Sequence, residues 1–154
     1  MLRKSRSSIV DESFTIVERS HVHHYETAGA ALTRERLEAL FDLVVTAIGN
    51  RDLAGVSNYA ASVAEERFGQ GFDIIEVQTA FNALEASMWR QIVASAAPEE
   101  LAEATGLLNT VLGFGKDVLA RTYVSLASQR HVGSLDLRAM FAGTQWGLEA
   151  EQVE

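Results

Sequence analysis

A chain of 154 residues, 47% of them hydrophobic and one a proline, suits a single folded domain and argues against a disordered one. Its formal net charge of -8 disfavours a nonspecific nucleic-acid surface, and the absence of cysteine removes disulfides, thiolate zinc sites and cysteine nucleophiles together. No stretch approaches the roughly 18 consecutive apolar residues of a membrane-spanning helix, and the basic start Met1 to Arg6 leads into Ser7, Ser8 and Asp11 rather than an apolar run, so no membrane segment or signal peptide is expected and the location is expected to be cytoplasmic.

In chain order, a first helix is expected from about Ser8 to Tyr25, with Ile9, Phe14, Ile16 and Val17 as its apolar residues and an imperfect period. The run Ala28 to Ala31 reads as a loop or frayed turn. Thr33 is placed to cap a second helix whose stripe is Leu37, Leu40, Phe41, Val44 and Ile48, and Gly49 to close it. Asp52 caps a third helix, where Leu53, Val56, Ala60 and Val63 form a narrow seam of mostly small residues that lets a neighbouring helix approach closely. Arg67 continues that seam. Either its stem packs while the guanidinium reaches solvent, the favoured reading because an isolated buried charge is costly, or it pairs with a carboxylate such as Glu76.

The stretch Glu65 to Trp89 organises the rest. Gly69 stands just past the third helix, where a left-handed residue is wanted. Asp73 fits an N-cap, with Glu76 as capping-box partner and Phe72 as staple. Ile74, Val77, Phe81, Leu84, Met88 and Ile92 then recur at three- and four-residue steps on one face that must be buried. Gln78, Asn82, Glu85 and Trp89 form a second line, which is either solvated or borders a pocket for a ligand or partner. This helix stops near Ala96, and Pro98 opens the last long helix with Glu99 and Glu100 at the positive end of its dipole.

That last helix is expected to reach about Arg130. Leu101, Leu108, Leu112, Leu119 and Leu126 line one side, and Leu107, Val111, Phe114 and Val118 widen the apolar arc, so it needs two neighbours, one of which could be a second copy of the chain. Gly113 and Gly115 interrupt it for a kink, a close crossing or approach to a ligand, with close packing the commonest reason. Ser134 is placed to cap a short helix bearing Leu135, Leu137, Met140 and Phe141, and Trp146 and Leu148 stand out in the acidic remainder. The fold class is therefore all-α: a single-domain bundle of five to six helices, with a globin-like arrangement as one option. Residues 1–142 make the domain and residues 143–154 an acidic C-terminal tail.

The search for chemistry is mostly negative. Gly113-Phe114-Gly115-Lys116 lacks the spacing and preceding strand of a phosphate loop, and no set of acid, base and nucleophile can be assembled, so no catalytic residue, cofactor or enzyme activity is expected. His21 and His24 share a helical face with Glu18 nearby and are the candidates for a metal or haem iron, against the plainer reading of titrating residues at a helix end.

The segment Arg67-Phe68-Gly69-Gln70-Gly71-Phe72, followed by Ile75, Ala80, Phe81, Leu84 and Trp89, resembles the N-terminal domain of RsbT co-antagonist proteins, the RsbRD type, and Gly49-Asn50-Arg51-Asp52 is a looser version of that family's "Gly-Asp"-like turn. The resemblance spans roughly Leu32 to Tyr123 and implies a cytoplasmic sensory or regulatory domain. Such domains are often homodimeric, act through a partner output protein such as a kinase, an anti-sigma switch component or a STAS-type protein, and transfer no catalytic residues. Nothing after Ser134 is long enough for an output module, so the chain is expected to be a stand-alone member or an excised sensor. A haem- or metal-binding helical sensor is the alternative.

Overall fold

The computed structural model describes residues 1–20 and 29–133, with side chains through Arg130. A 3-10 turn, Leu2–Ser5, leads into five helices: α1 (Arg6–Arg19), α2 (Ala30–Asn50), α3 (Ala54–Gly69), α4 (Ile74–Ser95) and α5 (Pro98–Gly133). There is no strand among the described residues, so the all-α bundle is the fold.

Two compact units divide the chain, Met1–Tyr123 and Val124–Glu154. The first holds the core. Its α4 face is buried as the periodicity requires, with Val77, Phe81, Leu84, Met88 and Ile92 inside and Ile74 half-buried. Against it pack Ile9, Val10 and Val17 of α1, Leu37, Leu40, Phe41 and Val44 of α2, and Leu108, Val111, Leu112 and Leu119 of α5. Removing each such large side chain from water contributes about 1.5–3 kcal/mol. The described part of the second unit is residues 124–133 of α5, where Val124 is exposed and the Ser128 hydroxyl donates to the Val124 carbonyl at 2.8 Å.

Of the small-residue seam expected on α3, Val56 and Ala60 are fully buried, whereas Leu53 and Val63 are only half-buried and Ala64 completes the buried line. Gly115 of α5 lies against this seam, and a Cβ there would stand 3.0 Å from Val56 Cγ1 and 3.2 Å from Phe81 Cε1. This glycine therefore permits a close crossing of α3, α4 and α5. At Gly113 a Cβ would meet nothing within 4 Å.

Chain neighbours are not always the closest packing partners. The most extensive contact of α1 is with α4, followed by α2. Ion pairs flank these seams. Arg6 of α1 binds Asp42 of α2 through Nε and Nη2, both at 2.9 Å, and reaches Glu38 at 3.2 Å. Arg34 pairs with Asp11, and Arg90 of α4 reaches Glu12 of α1 at 2.6 Å.

Several expected boundaries are corrected. The first helix runs from Arg6 rather than about Ser8 and ends at Arg19, with Ser20 as its C-cap, short of the expected Tyr25, which itself lies outside the described residues. Ala30 and Ala31 are helical, not loop. Thr33 is not the cap of α2: it is buried within the helix, and its hydroxyl donates to the Gly29 carbonyl at 3.4 Å. A threonine hydroxyl can be satisfied by the carbonyl one turn back as well as by capping, and two alanines upstream favour another helical turn.

Neither Gly49 nor Gly69 takes the left-handed role. α2 ends at Asn50 and the left-handed residue is Arg51, φ 55. α3 ends at Gly69 and the left-handed residue is Gly71, φ 84. Both ends carry the same closing bond pattern. Asp52 N donates to Ala47 O at 3.2 Å, and Phe72 N donates to Arg67 O at 3.0 Å, the six-to-one bond of a Schellman cap. Asp52, expected to cap α3, stands one residue before the N-cap position, which is Leu53, and accepts from Ala54 N at 2.9 Å; Asp73 accepts from Ile75 N at 2.9 Å as the N-cap of α4. The helix expected after Ser134, with the tail from residue 143, lies outside the described residues.

Candidate functional site

The polar line on α4 borders a cleft of about 640 Å3 between α4 and α5. Asn82, Glu85 and Trp89 line it from α4 together with Ala86 and Arg90; Gln78 does not. The facing wall comes from Ala102, Thr105, Gly106 and Asn109 of α5, with Leu108 as a buried floor residue. α4 turns its core stripe inward, so residues one helical step round, at Asn82, Glu85 and Trp89, fall at the edge where α5 meets it.

Trp89 is half-exposed, at 51%, and shares the cleft lining with the small residues Ala86, Ala102 and Gly106. Its indole offers a large apolar face and one N–H donor. At one end of the cleft Lys116 Nζ donates to Glu85 Oε2 at 2.6 Å and to Asn82 Oδ1 at 3.3 Å, which fixes both side chains. At the other, Arg90 is held by Glu12 of α1. The Thr105 hydroxyl is occupied by the Leu101 carbonyl at 2.8 Å, whereas the Asn109 amide faces the cleft exposed. Such a surface can stack a flat or apolar group on Trp89 and hydrogen-bond it at the rim.

Lys116, Arg90 and Asn109 were not legible as site residues. In the sequence Lys116 ends a segment that lacks the spacing of a phosphate loop; its signal is its place seven residues beyond Asn109, on the same side of α5.

The corner between α3 and α4 is a packing device. Arg67 is buried at 3% exposure, contrary to the expectation that its guanidinium reaches solvent. Its guanidinium carbon lies 4.3 Å from the Phe72 ring centroid, and Nη1 donates to Gln70 Oε1 at 3.3 Å. Stacking on an aromatic face and hydrogen bonding make burial tolerable for a weakly hydrated guanidinium. Gln70 in turn donates to Glu66, which accepts from Arg36 of α2 at 2.6 Å. Ile75, in contrast, is 70% exposed and plays no part in the core.

His21 and His24 lie outside the described residues. Among those described, no group of three histidine or carboxylate side chains could hold a metal ion. Again among the described residues, no helix is long and apolar enough to cross a membrane.

These features define an all-helical domain with a cleft between α4 and α5 and a glycine corner between α3 and α4. Residues 8–134 match the family described as the RsbT co-antagonist protein rsbRD N-terminal domain, and the chain belongs to that family. The match extends beyond the Leu32 to Tyr123 span of the resemblance at both ends. It is a regulatory, sensor-type signalling family rather than a known enzyme family. No curated protein and no solved structure matches the chain.

Proposed function

We propose that the chain is a non-enzymatic sensory and regulatory module of the bacterial cytoplasm that acts through a partner output protein. Family membership over residues 8–134 is the observation that carries this reading. The partner is a kinase, an anti-sigma switch component or a STAS-type protein of a stress-signalling assembly, and the α4–α5 cleft, with Asn82, Glu85 and Trp89, is the surface it meets. An exposed tryptophan in a cleft lined with small residues supports that assignment, because interface energy concentrates in such anchors. Residues 1–142 form the working domain and residues 143–154 its acidic tail.

The module acts as a homodimer built on the last long helix. The breadth of that helix's apolar arc supports this, since Val118 is half-buried and Val124 exposed within one chain. Light scattering tests the dimer: a mass of twice 16.8 kDa across a wide concentration range is expected, and a strict monomer at high concentration contradicts it. Affinity capture from the native cytoplasm with mass identification tests the partner: one of the three named classes is expected, and retention of none of them contradicts the reading.

A further inference from the structure

The charged groups that line the α4–α5 cleft are held in closed pairs. Glu85 accepts from Lys116 Nζ at 2.6 Å, and Arg90 reaches Glu12 at 2.6 Å. One carboxylate and one guanidinium stand on the lining, so its own charge sums to zero. An ionic ligand would meet no net opposite charge there and would give up water for nothing unless it opened one of these pairs, whereas a neutral ligand leaves both intact.

The uncommitted polar groups are of another kind. Asn82 gives its Oδ1 to Lys116 at 3.3 Å and the Thr105 hydroxyl is occupied by the Leu101 carbonyl, but the Asn109 amide and the Trp89 indole N–H make no hydrogen bond among the described residues. A carboxamide carries a donor and an acceptor side by side, and a second carboxamide matches both at once. From the opposite wall Trp89 supplies the aromatic face of the lining. The cleft, of about 640 Å3, falls within the roughly 300–1,000 Å3 of ordinary small-molecule sites.

We propose that the cleft binds a small, uncharged aromatic carboxamide. The ring lies on the Trp89 indole and leaves water there, while the amide pairs with the Asn109 amide through two reciprocal hydrogen bonds. This ligand class deepens the reading of the cleft as the working surface of the domain, on which it rests, and supplies the signal that such a surface senses.

Magnetic-resonance titration of the isotope-labelled full chain bearing Trp146→Phe, in which Trp89 is the remaining tryptophan, tests this. The probes are indole-3-acetamide, indole-3-acetate and tryptamine, which share one ring and carry a neutral, an anionic and a cationic head. The Trp89 indole N–H resonance is expected to shift saturably with the amide, which binds on the order of tenfold more tightly than either ion. Asn109→Asp keeps the shape, adds a negative charge and turns the preference toward tryptamine. Gly106→Phe, whose side chain begins where a Cβ meets no atom within 4 Å, fills the cleft and removes binding of all three. Should Gly106→Phe fail to fold, Ala102→Phe, exposed on the same wall, serves in its place. Absence of a saturable shift, equal or tighter binding of either ion, an unchanged order in Asn109→Asp, or binding that survives a folded cleft-filling variant overturns the proposal. The titration involves no partner protein, so its failure is distinct from failure of the cleft to retain one.

Discussion

The Tyr123 hydroxyl donates to the Phe72 carbonyl at 3.3 Å, while its ring meets Phe68 edge-on with centroids 5.6 Å apart. The last residue of the first compact unit is thereby fastened to the glycine corner between α3 and α4. Loss of the hydroxyl alone in Tyr123→Phe should lower stability by about 1 kcal/mol, the ordinary net worth of one hydrogen bond. Tyr123→Ala also leaves a cavity against Phe68 and should lose about 3–5 kcal/mol. Urea denaturation of the two variants checks the order; equal losses would mean that the ring contributes nothing.

The two Schellman caps predict opposite responses to one kind of change. Gly71→Ala places a Cβ at φ 84, where a left-handed side chain costs roughly 1–2 kcal/mol, and should destabilise by that amount. Arg51→Gly relieves the same kind of strain at φ 55 and should stabilise by up to about 1 kcal/mol, reduced by loss of the exposed pair with Glu103. Thermal melts of both variants check the pair of signs.

The two glycines of α5 should also separate. Gly113→Ala meets open space and should gain about 1 kcal/mol of helix propensity. Gly115→Ala gains the same propensity but presses on Val56 and Phe81, both buried and unable to retreat, where overpacking costs about 1–3 kcal/mol. Gly115→Val should be worse than Gly115→Ala. Denaturant midpoints of the three variants decide it.

The Arg6–Asp42 pair predicts a pH dependence. A side-chain hydrogen bond from Arg6 holds the Asp42 carboxyl below its ordinary value of 3.8. Because the folded value is depressed, the contribution to stability is fully present above pH 3.8 and is lost as pH falls through the lower folded value. The gap in melting temperature between the wild type and Asp42→Asn should therefore stay constant from neutral pH down to that point and close below it. The gap itself should be small, since both partners are solvent-screened.

Much of this was legible in the sequence because it depends on local rules. The α4 stripe, the Asp73 cap, the small seam of α3 and the corner at Phe68 to Phe72 all follow from spacing and from neighbours within a few residues. What escaped depends on distant partners or on equivalent local solutions. Thr33 could cap or bond backwards within a helix, and nothing nearby distinguishes the two. A left-handed position is usually glycine, yet at α2 it is Arg51 although Gly49 stands two residues earlier, and at α3 it is the second glycine rather than the first. Arg67 is accommodated by Phe72 and Gln70 across a turn whose geometry spacing alone does not give. The cleft was half legible: Asn82, Glu85 and Trp89 share a face of α4, but Lys116 and Asn109 reach it only through the packing of α5.

The central claim is that this domain works by contact, through Trp89 and the α4–α5 cleft. The most direct measurement is the amount of the captured output partner retained by Trp89→Ala relative to wild type, at equal loading and with both melts recorded. Since Trp89 is half-exposed, the variant is expected to melt near wild type and to retain at least tenfold less partner, as loss of an interface anchor worth about 2 kcal/mol implies. Equal retention of the partner by the two proteins would contradict it.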